Sequence, residues 1–397
     1  MTGAAVGTAR AGGVRRRLLV PFGTRPEVVK LAPVVRALRA AGHRVRAVHI
    51  GQHDDPAMAA DVPRSLELAP DVQLRLAGGV AARRGALLSG AVDAIAADRP
   101  DLVLTLGDTE TVPAYALAAR AAGVAFGHLE AGLRSFNQRS VEELNRRIAT
   151  ASAQLHFAPT ARSAALLAAE GVPAERVFVV GNPVVDALRE RGLAPVPPDR
   201  RTGVLVTAHR PTNVDDPTRL ARLVALVEAL SVQVGPVRFP VHPRTARRLD
   251  SSGLGARLSR LDSVTMCGPL PYDGMLGALA GCRVAVTDSG GIQEEAAFFG
   301  VPVVVLRRST PRWEGVENGS AVLAGLTCDE DADRALRAAQ ALTAPAELAR
   351  VAALPCPYGD GTTGARVAAT LSDPGTGGLL DLVEPDFTDG PRPWSAG

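Results

Sequence analysis

Two stretches decide the fold: LVLTLGDTETVPAYALAARAAGVAFGHL, Leu102–Leu129, and VAVTDSGGIQEEAAFFGVPVVVL, Val284–Leu306. Each reads as an apolar run, a polar turn, an Ala-rich helical pattern, a Gly-Val step and a second apolar run. That βαβ rhythm implies a parallel sheet covered by helices. Working outward from the first stretch, strands are expected at Arg17–Phe22, His43–Ile50, Asp101–Leu106 and Val124–Leu129. Gly23-Thr24-Arg25-Pro26 ends the first of these, and Pro26 suits the first turn of a helix running through Val35 to Ala40. The rhythm breaks at Gly192–Arg201, where Pro195, Pro197 and Pro198 suggest a linker. It restarts with strands at Gly203–Ala208, Val237–Val241, Val284–Thr287 and Pro302–Leu306, and with a helix at Ile292–Phe299. The expected class is α/β, with two doubly wound Rossmann-like domains facing a cleft. Residues 14–190 form the first, 191–371 the second, and 372–397 a loose tail rich in Pro, Gly and Asp.

Bulk composition agrees and excludes other classes. The chain has 397 residues, 46% of them apolar, enough for two hydrophobic cores. Lys+Arg is 44 against Asp+Glu 41, a net charge of +3, so neither nucleic acid nor a membrane surface is expected as a partner. No run of apolar residues is long enough for a transmembrane helix. Arg15, Arg16 and Arg17 follow the small N-terminal residues instead of preceding them, the wrong order for a signal peptide. Cys267, Cys282, Cys328 and Cys356 are far apart and form no CxxC pair, as expected of free thiols in a reducing cytoplasm. Lys30 is the only lysine; every other basic side chain of that class is arginine.

Ligands of open parallel sheets sit beyond the carboxyl ends of the strands, so polar residues there are the candidates. Ser289-Gly290-Gly291 follows a strand and opens a helix, where free N–H groups and the dipole suit a phosphate. Glu294 or Glu295, one turn in, could accept both hydroxyls of a ribose, or could cap that turn together with Ser289. Arg25 and Lys30 lie near the start of the first helix and could neutralise a diphosphate. Asp108, Glu130 and Glu142 recur at or near strand ends, a grouping that suits acid/base work. Glu142 stands one helical turn before Arg146, which suggests a mutually oriented pair. His209 and His242 each end a strand of the second half. P-loop, HExxH and GxSxG patterns are absent. So is GxGxxG after the first strand, which argues against a nicotinamide cofactor.

Together these segments resemble the bacterial non-hydrolysing UDP-N-acetylglucosamine 2-epimerases. The matching stretches are GTRPEVVKLAPVVRAL, GQH, GDTETVPAYALAA, GHLEAGLRS, EELNRR, AHR, HPR, TDSGGIQEEAAFFGVPVVVLR and PYGDG, in family order from about Val20 to Arg366. The resemblance implies the two-domain fold shared with many glycosyltransferases (glycosyltransferase-B type), a UDP-sugar in the cleft, and neither metal nor redox cofactor. It implies acid/base roles for Asp108, Glu130 and Glu142. Arg25 and Lys30 would lie near the diphosphate and reacting sugar, with Arg146 and His209 supporting catalysis. Ser289, Gly290 and Gly291 would bind the phosphates, Glu295 the uridine ribose, and His242 and Arg312 the substrate more generally. Gln52, His53, Arg84 and Arg210 would form an activator surface, and the protein would be a homodimer. The implied reaction inverts C2 of a UDP-N-acetylhexosamine by loss and return of UDP. A hydrolysing 2-epimerase, a glycosyltransferase on the same fold and a non-catalytic sensor are the alternatives. The family's T-E-R-P-E is here Thr310-Pro311-Arg312-Trp313-Glu314, a departure expected near the sugar and nucleotide.

Overall fold

The computed structural model describes residues 13–51, 68, 70–76 and 78–383. Seven strands make a first parallel sheet: β1 (Arg17–Phe22), β2 (Arg44–Gly51), β3 (Val72–Arg75), β4 (Leu102–Leu106), β5 (Ala125–Leu129), β6 (Leu155–Ala158) and β7 (Val177–Val179), in the order β3-β2-β1-β4-β5-β6-β7. Six more make a second: β8 (Val204–Thr207), β9 (Val237–Pro240), β10 (Val264–Cys267), β11 (Val284–Thr287), β12 (Val303–Val305) and β13 (Ala321–Leu323), in the order β10-β9-β8-β11-β12-β13. This is the doubly wound, glycosyltransferase-B-type architecture expected from the sequence. β3, β6, β7, β10 and β13 were not anticipated from the sequence.

Alternation along the strands explains why they read as unbroken apolar runs. Leu102 and Leu104 of β4 enter one core and Val103 the opposite one. Val284 and Val286 of β11 face one core and Ala285 the other. Helices cover both faces of each sheet, so both side-chain registers must be apolar.

In each sheet the strand order reverses between two neighbours, β1/β4 in the first and β8/β11 in the second. A crevice opens at such a switch point, and its rim is made by the residues just past those strands. The rim therefore consists of Gly23–Arg25, Gly107–Thr109, Ala208–Arg210 and Asp288–Gly290.

The chain crosses between the two bodies more than once. Helix Pro183–Glu190 puts Val184, Val185 and Leu188 into the core of the second sheet. Helix Thr363–Ser372, grouped by sequence with the second domain, returns Val367, Ala368 and Leu371 to the core of the first. Asp186 Oδ1 accepts the Gly364 N–H at 2.9 Å and joins the two crossing helices. Gly364 is close to the first long helix: a Cβ there would lie 2.9 Å from the Pro33 carbonyl oxygen. The start of the expected loose tail is instead docked. Arg16 Nε donates to Leu371 O at 2.8 Å, and Leu379 and Leu380 pack on the first core. Residues 384–397 lie outside the described residues.

Candidate active site

A cavity of about 480 Å³ lies between the carboxyl ends of the two sheets. From the first domain it is lined by Arg25, Lys30, Asp108, Glu130 and Glu142. From the second come His209, His242, Ser289, Gly290, Gly291, Glu295 and Arg312. Residues scattered over most of the chain are thus brought together by two switch points facing each other.

Lys30 is buried at the centre of an ion cluster spanning both domains. Its Nζ donates to Glu130 Oε1 and, at 2.6 Å, to Glu294 Oε2. Arg312 Nε donates to Glu294 Oε1 at 2.8 Å, and its Nη2 lies 4.0 Å from Glu130 Oε2. Burial draws the Lys30 ammonium down, but the Glu130 and Glu294 charges outweigh it and hold it above its usual range. Arg312 is raised too: burial opposes its charge and Glu294 and Glu130 more than offset that. Both side chains are therefore fixed cations.

Asp108 sits at the end of β4. Arg146 Nη2 donates to its Oδ2 at 2.5 Å, and Arg146 Nη1 to Glu143 Oε2 at 2.8 Å. The expected Glu142–Arg146 pair does not form. Arg146 turns inward, and Glu143 is the buried carboxylate on that side of the helix; Glu142 stays at the cleft edge, accepting from Ser140 Oγ. Burial raises the Asp108 carboxyl, but Arg146, Arg312 and Lys30 hold it below the usual carboxylate range. Glu142 is also held low: burial raises it, and the Ser140 hydroxyl and the Arg210 charge prevail.

A further carboxylate orders this rim and escaped the sequence reading. Glu27 Oε2 accepts from Gly23 N at 2.9 Å and Thr24 N at 2.7 Å, and its Oε1 accepts from Thr109 Oγ1 at 2.7 Å. It binds the loop carrying Arg25 to the loop carrying Asp108. The clue was the Thr24-x-x-Glu27 spacing of a capping box.

On the second domain, Asp288 accepts from the backbone N–H groups of His209 at 3.1 Å and Arg210 at 3.0 Å, and from Asn213 Nδ2 at 3.1 Å. His209 Nδ1 lies 3.3 Å from Asp288 Oδ1. Burial keeps His209 below its ordinary pKa against the pull of Asp288. His242 has a local task as well: its Nδ1 accepts Arg244 N–H at 3.1 Å and caps helix Pro243–Ser252.

Ser289 stands at the N-cap of helix Gly290–Phe299, but its side chain makes no capping bond. The first N–H groups of that helix therefore face the cavity without a side-chain partner at the cap, the condition for anion binding. Gly290 is required by close approach: a Cβ there would meet the Arg312 guanidinium at 3.0 Å. The ambiguity between Glu294 and Glu295 resolves by direction. Glu294 points into the Lys30–Arg312 cluster, whereas Glu295 lines the cavity. Tyr272, absent from the sequence candidates, donates to Glu295 Oε1 at 2.8 Å. The guanidinium of Arg25 lies 5.4 Å from the centre of the Tyr272 ring, bridging the domains.

Of the altered Pro311-Arg312-Trp313 stretch, only Arg312 lines the cavity. Trp313 turns to the first domain, donating Nε1–H to Arg134 O at 3.0 Å beneath the Arg162 guanidinium. Of the expected activator residues, Arg210 lines the cleft, while Arg84 is exposed and bonded to Glu110 at 2.6 Å. Gln52 and His53 lie outside the described residues.

Two facing doubly wound domains, a buried ion cluster that joins them, and a cleft lined by Asp108, Glu130 and Glu142 on one wall and by a bare helix N-terminus on the other are the frame of an enzyme class acting on a nucleotide sugar. Residues 36–372 match the profile of the UDP-N-acetylglucosamine 2-epimerase family. The chain is 36% identical over 378 residues to the "Probable UDP-N-acetylglucosamine 2-epimerase" of Ralstonia nicotianae, covering 90% of this chain and 98% of that one. It is 35% identical over 324 residues to the UDP-2,3-diacetamido-2,3-dideoxy-D-glucuronate 2-epimerase of Pseudomonas aeruginosa, covering 79% of this chain and 89% of the other. The crystal structure of Methanocaldococcus jannaschii UDP-GlcNAc 2-epimerase in complex with UDP-GlcNAc and UDP superposes with a TM-score of 0.79 at 30% identity, over 89% of this chain and 99% of that one. The chain belongs to the UDP-N-acetylglucosamine 2-epimerase family.

Proposed function

We propose that the protein inverts C2 of a UDP-N-acetylhexosamine, converting UDP-N-acetylglucosamine to its 2-epimer or acting likewise on a related UDP-sugar. The carrying observation is the meeting, in one cavity, of Asp108, Glu130 and Glu142 with the uncapped N-terminus of helix Gly290–Phe299. The C2 proton of such a sugar has no adjacent carbonyl and is not acidic. Elimination solves this: a carboxylate takes the C2 proton, the C–H electrons form the C1=C2 bond, and the C1–O bond breaks with its electrons leaving on UDP. The reverse steps deliver a proton to the opposite face of C2 and return UDP to C1. Such chemistry needs acid/base groups near both faces and a firm hold on the departing diphosphate. Ser289, Gly290, Gly291 and Arg25 are assigned to the diphosphate, Glu295 to the ribose, His209 to the leaving phosphate, and Lys30, Arg146 and Arg312 to charge support around the carboxylates.

NMR of UDP-sugars with the protein in D2O tests this. Deuterium at C2 of the recovered sugar, with appearance of the 2-epimer, is the expected result. Free UDP with free N-acetylmannosamine would mark a hydrolysing enzyme. Neither exchange nor epimer, across UDP-N-acetylhexosamines and UDP-diacetamidouronates, would overturn the proposal.

The same reading extends to a homodimer in the cytoplasm. Leu88, Val92, Leu117 and Leu144 are exposed on three neighbouring helices of the first domain, an apolar face fitted to a second copy. Sedimentation at micromolar concentration checks it. Among the described residues no helix is long and apolar enough to cross a membrane, and all four cysteines are free.

A further inference from the structure

We propose that Asn182 is a positioning residue for Glu130, locking one carboxylate oxygen so that the other is offered to the substrate. This rests on the reading of Glu130 as an acid/base group. Glu130 follows β5 in a left-handed conformation, φ 63°, which a non-glycine residue holds only when its surroundings over-determine it. Two donors converge on its Oε1: Lys30 Nζ, and Asn182 Nδ2 at 3.0 Å. Asn182 is fully buried. Its Oδ1 accepts Val184 N–H at 3.0 Å, capping helix Pro183–Glu190, and its own N–H donates to Tyr358 O at 2.8 Å. A carbonyl oxygen must face the Val184 N–H, so the amide nitrogen must face Glu130. The orientation of Asn182 is thereby fixed by the backbone.

Glu130 Oε2 makes no hydrogen bond among the described residues. It lies 4.0 Å from Arg312 Nη2 and close to Gly107, where a Cβ would stand 3.6 Å from it. With both donors spent on Oε1, Oε2 is the oxygen left to exchange a proton with the sugar. The charged groups facing this carboxylate are Lys30, Arg312, Glu294 through Lys30, and Asp108 beyond Arg312. Asn182 is the neutral member of the set. It fixes direction without adding charge. It also stands where the chain crosses to the second domain, so the carboxylate is anchored to the crossing helix.

Two variants separate this role from helix capping. Asp and Ser both cap helices well. N182D keeps the acceptor for Val184 but sets a second carboxylate against Oε1. Its kcat is expected to fall on the order of 10²-fold, with KM little changed. The limb of its pH–rate profile that reports Glu130 should move to higher pH, because a like charge disfavours ionisation. N182S removes the donor without adding charge, and should show a smaller fall and a smaller displacement. Wild-type kcat in N182D would overturn the proposal. So would equal losses of kcat and thermal stability in both variants with an unmoved pH profile, which would leave only a structural role. A wild-type protein without C2 exchange in D2O would instead remove the functional reading beneath it, and the proposal with it.

Discussion

At the scale of single residues, sequence and structure agree on identity and differ on partnership. Lys30, conspicuous as the only lysine, does occupy the centre of the site. Its partners could not be read, because Glu130 and Glu294 are 100 and 264 positions away. Asp108 is expected to be indispensable: Asp108→Asn should lower turnover on the order of 10³-fold, as loss of an acid/base group does. UDP binding, measured by calorimetry, should survive, since the diphosphate is assigned to Arg25 and Ser289–Gly291 and not to Asp108. Glu295 permits a pH prediction. Burial and the neighbouring Glu294 charge push its carboxyl up from 4.5 to about 7, although the Tyr272 hydroxyl pulls the other way. The folded state thus holds this proton more tightly than the unfolded chain. Stability is therefore lost as pH rises from 4.5 to about 7, amounting to about 3 kcal/mol. Glu295→Gln cannot titrate, so its melting temperature should gain on that of the wild type between pH 5 and pH 7.5, in the range set by that shift. Parallel melting curves across the range would refute the assignment.

At the scale of elements, the strand–turn–helix units were legible because their burial on both faces writes itself as short apolar runs. Ser289-Gly290-Gly291 was legible as a helix start, but whether Ser289 capped it was not. The cap is unmade, which leaves the helix end open to the cavity. Gly290→Ala should test how tightly that end is fitted. The added methyl would press on the Arg312 guanidinium at 3.0 Å. Displacement of a positioned group by such an amount costs up to about 10²-fold in kcat/KM. Melting temperature should change little, because alanine favours the helix. The Thr310–Glu314 segment divides between the domains. It was expected near the sugar and nucleotide; Arg312 enters the cavity, while Trp313 faces the first domain.

At the scale of the whole molecule, the site exists only while the two domains face each other. Lys30 from the first domain meets Glu294 from the second, Arg312 approaches Glu130 in return, and Arg25 lies over Tyr272. Removing the shared cation leaves two buried carboxylates with a partner fewer. Lys30→Met should therefore destabilise the protein by about 3–5 kcal/mol, as breaking a buried pair from one side does. Urea unfolding measures it. A variant as stable as the wild type would show that the cluster does not hold the domains together.

The sequence by itself determined the fold class, the two-domain plan, the family resemblance and most of the charged residues of the cavity wall. These follow from local patterns: apolar alternation, glycine turns and polar residues at strand ends. Only the tertiary structure decided which groups touch. It turned Arg146 from Glu142 to Asp108 and Glu143, set Trp313 against the first domain, separated Glu294 from its neighbour Glu295, and brought Tyr272 and Asn182 to the site. The physical reason is that local propensity acts over a few residues, whereas a buried charge is settled by whichever opposite charge or donor the packing of distant elements places beside it.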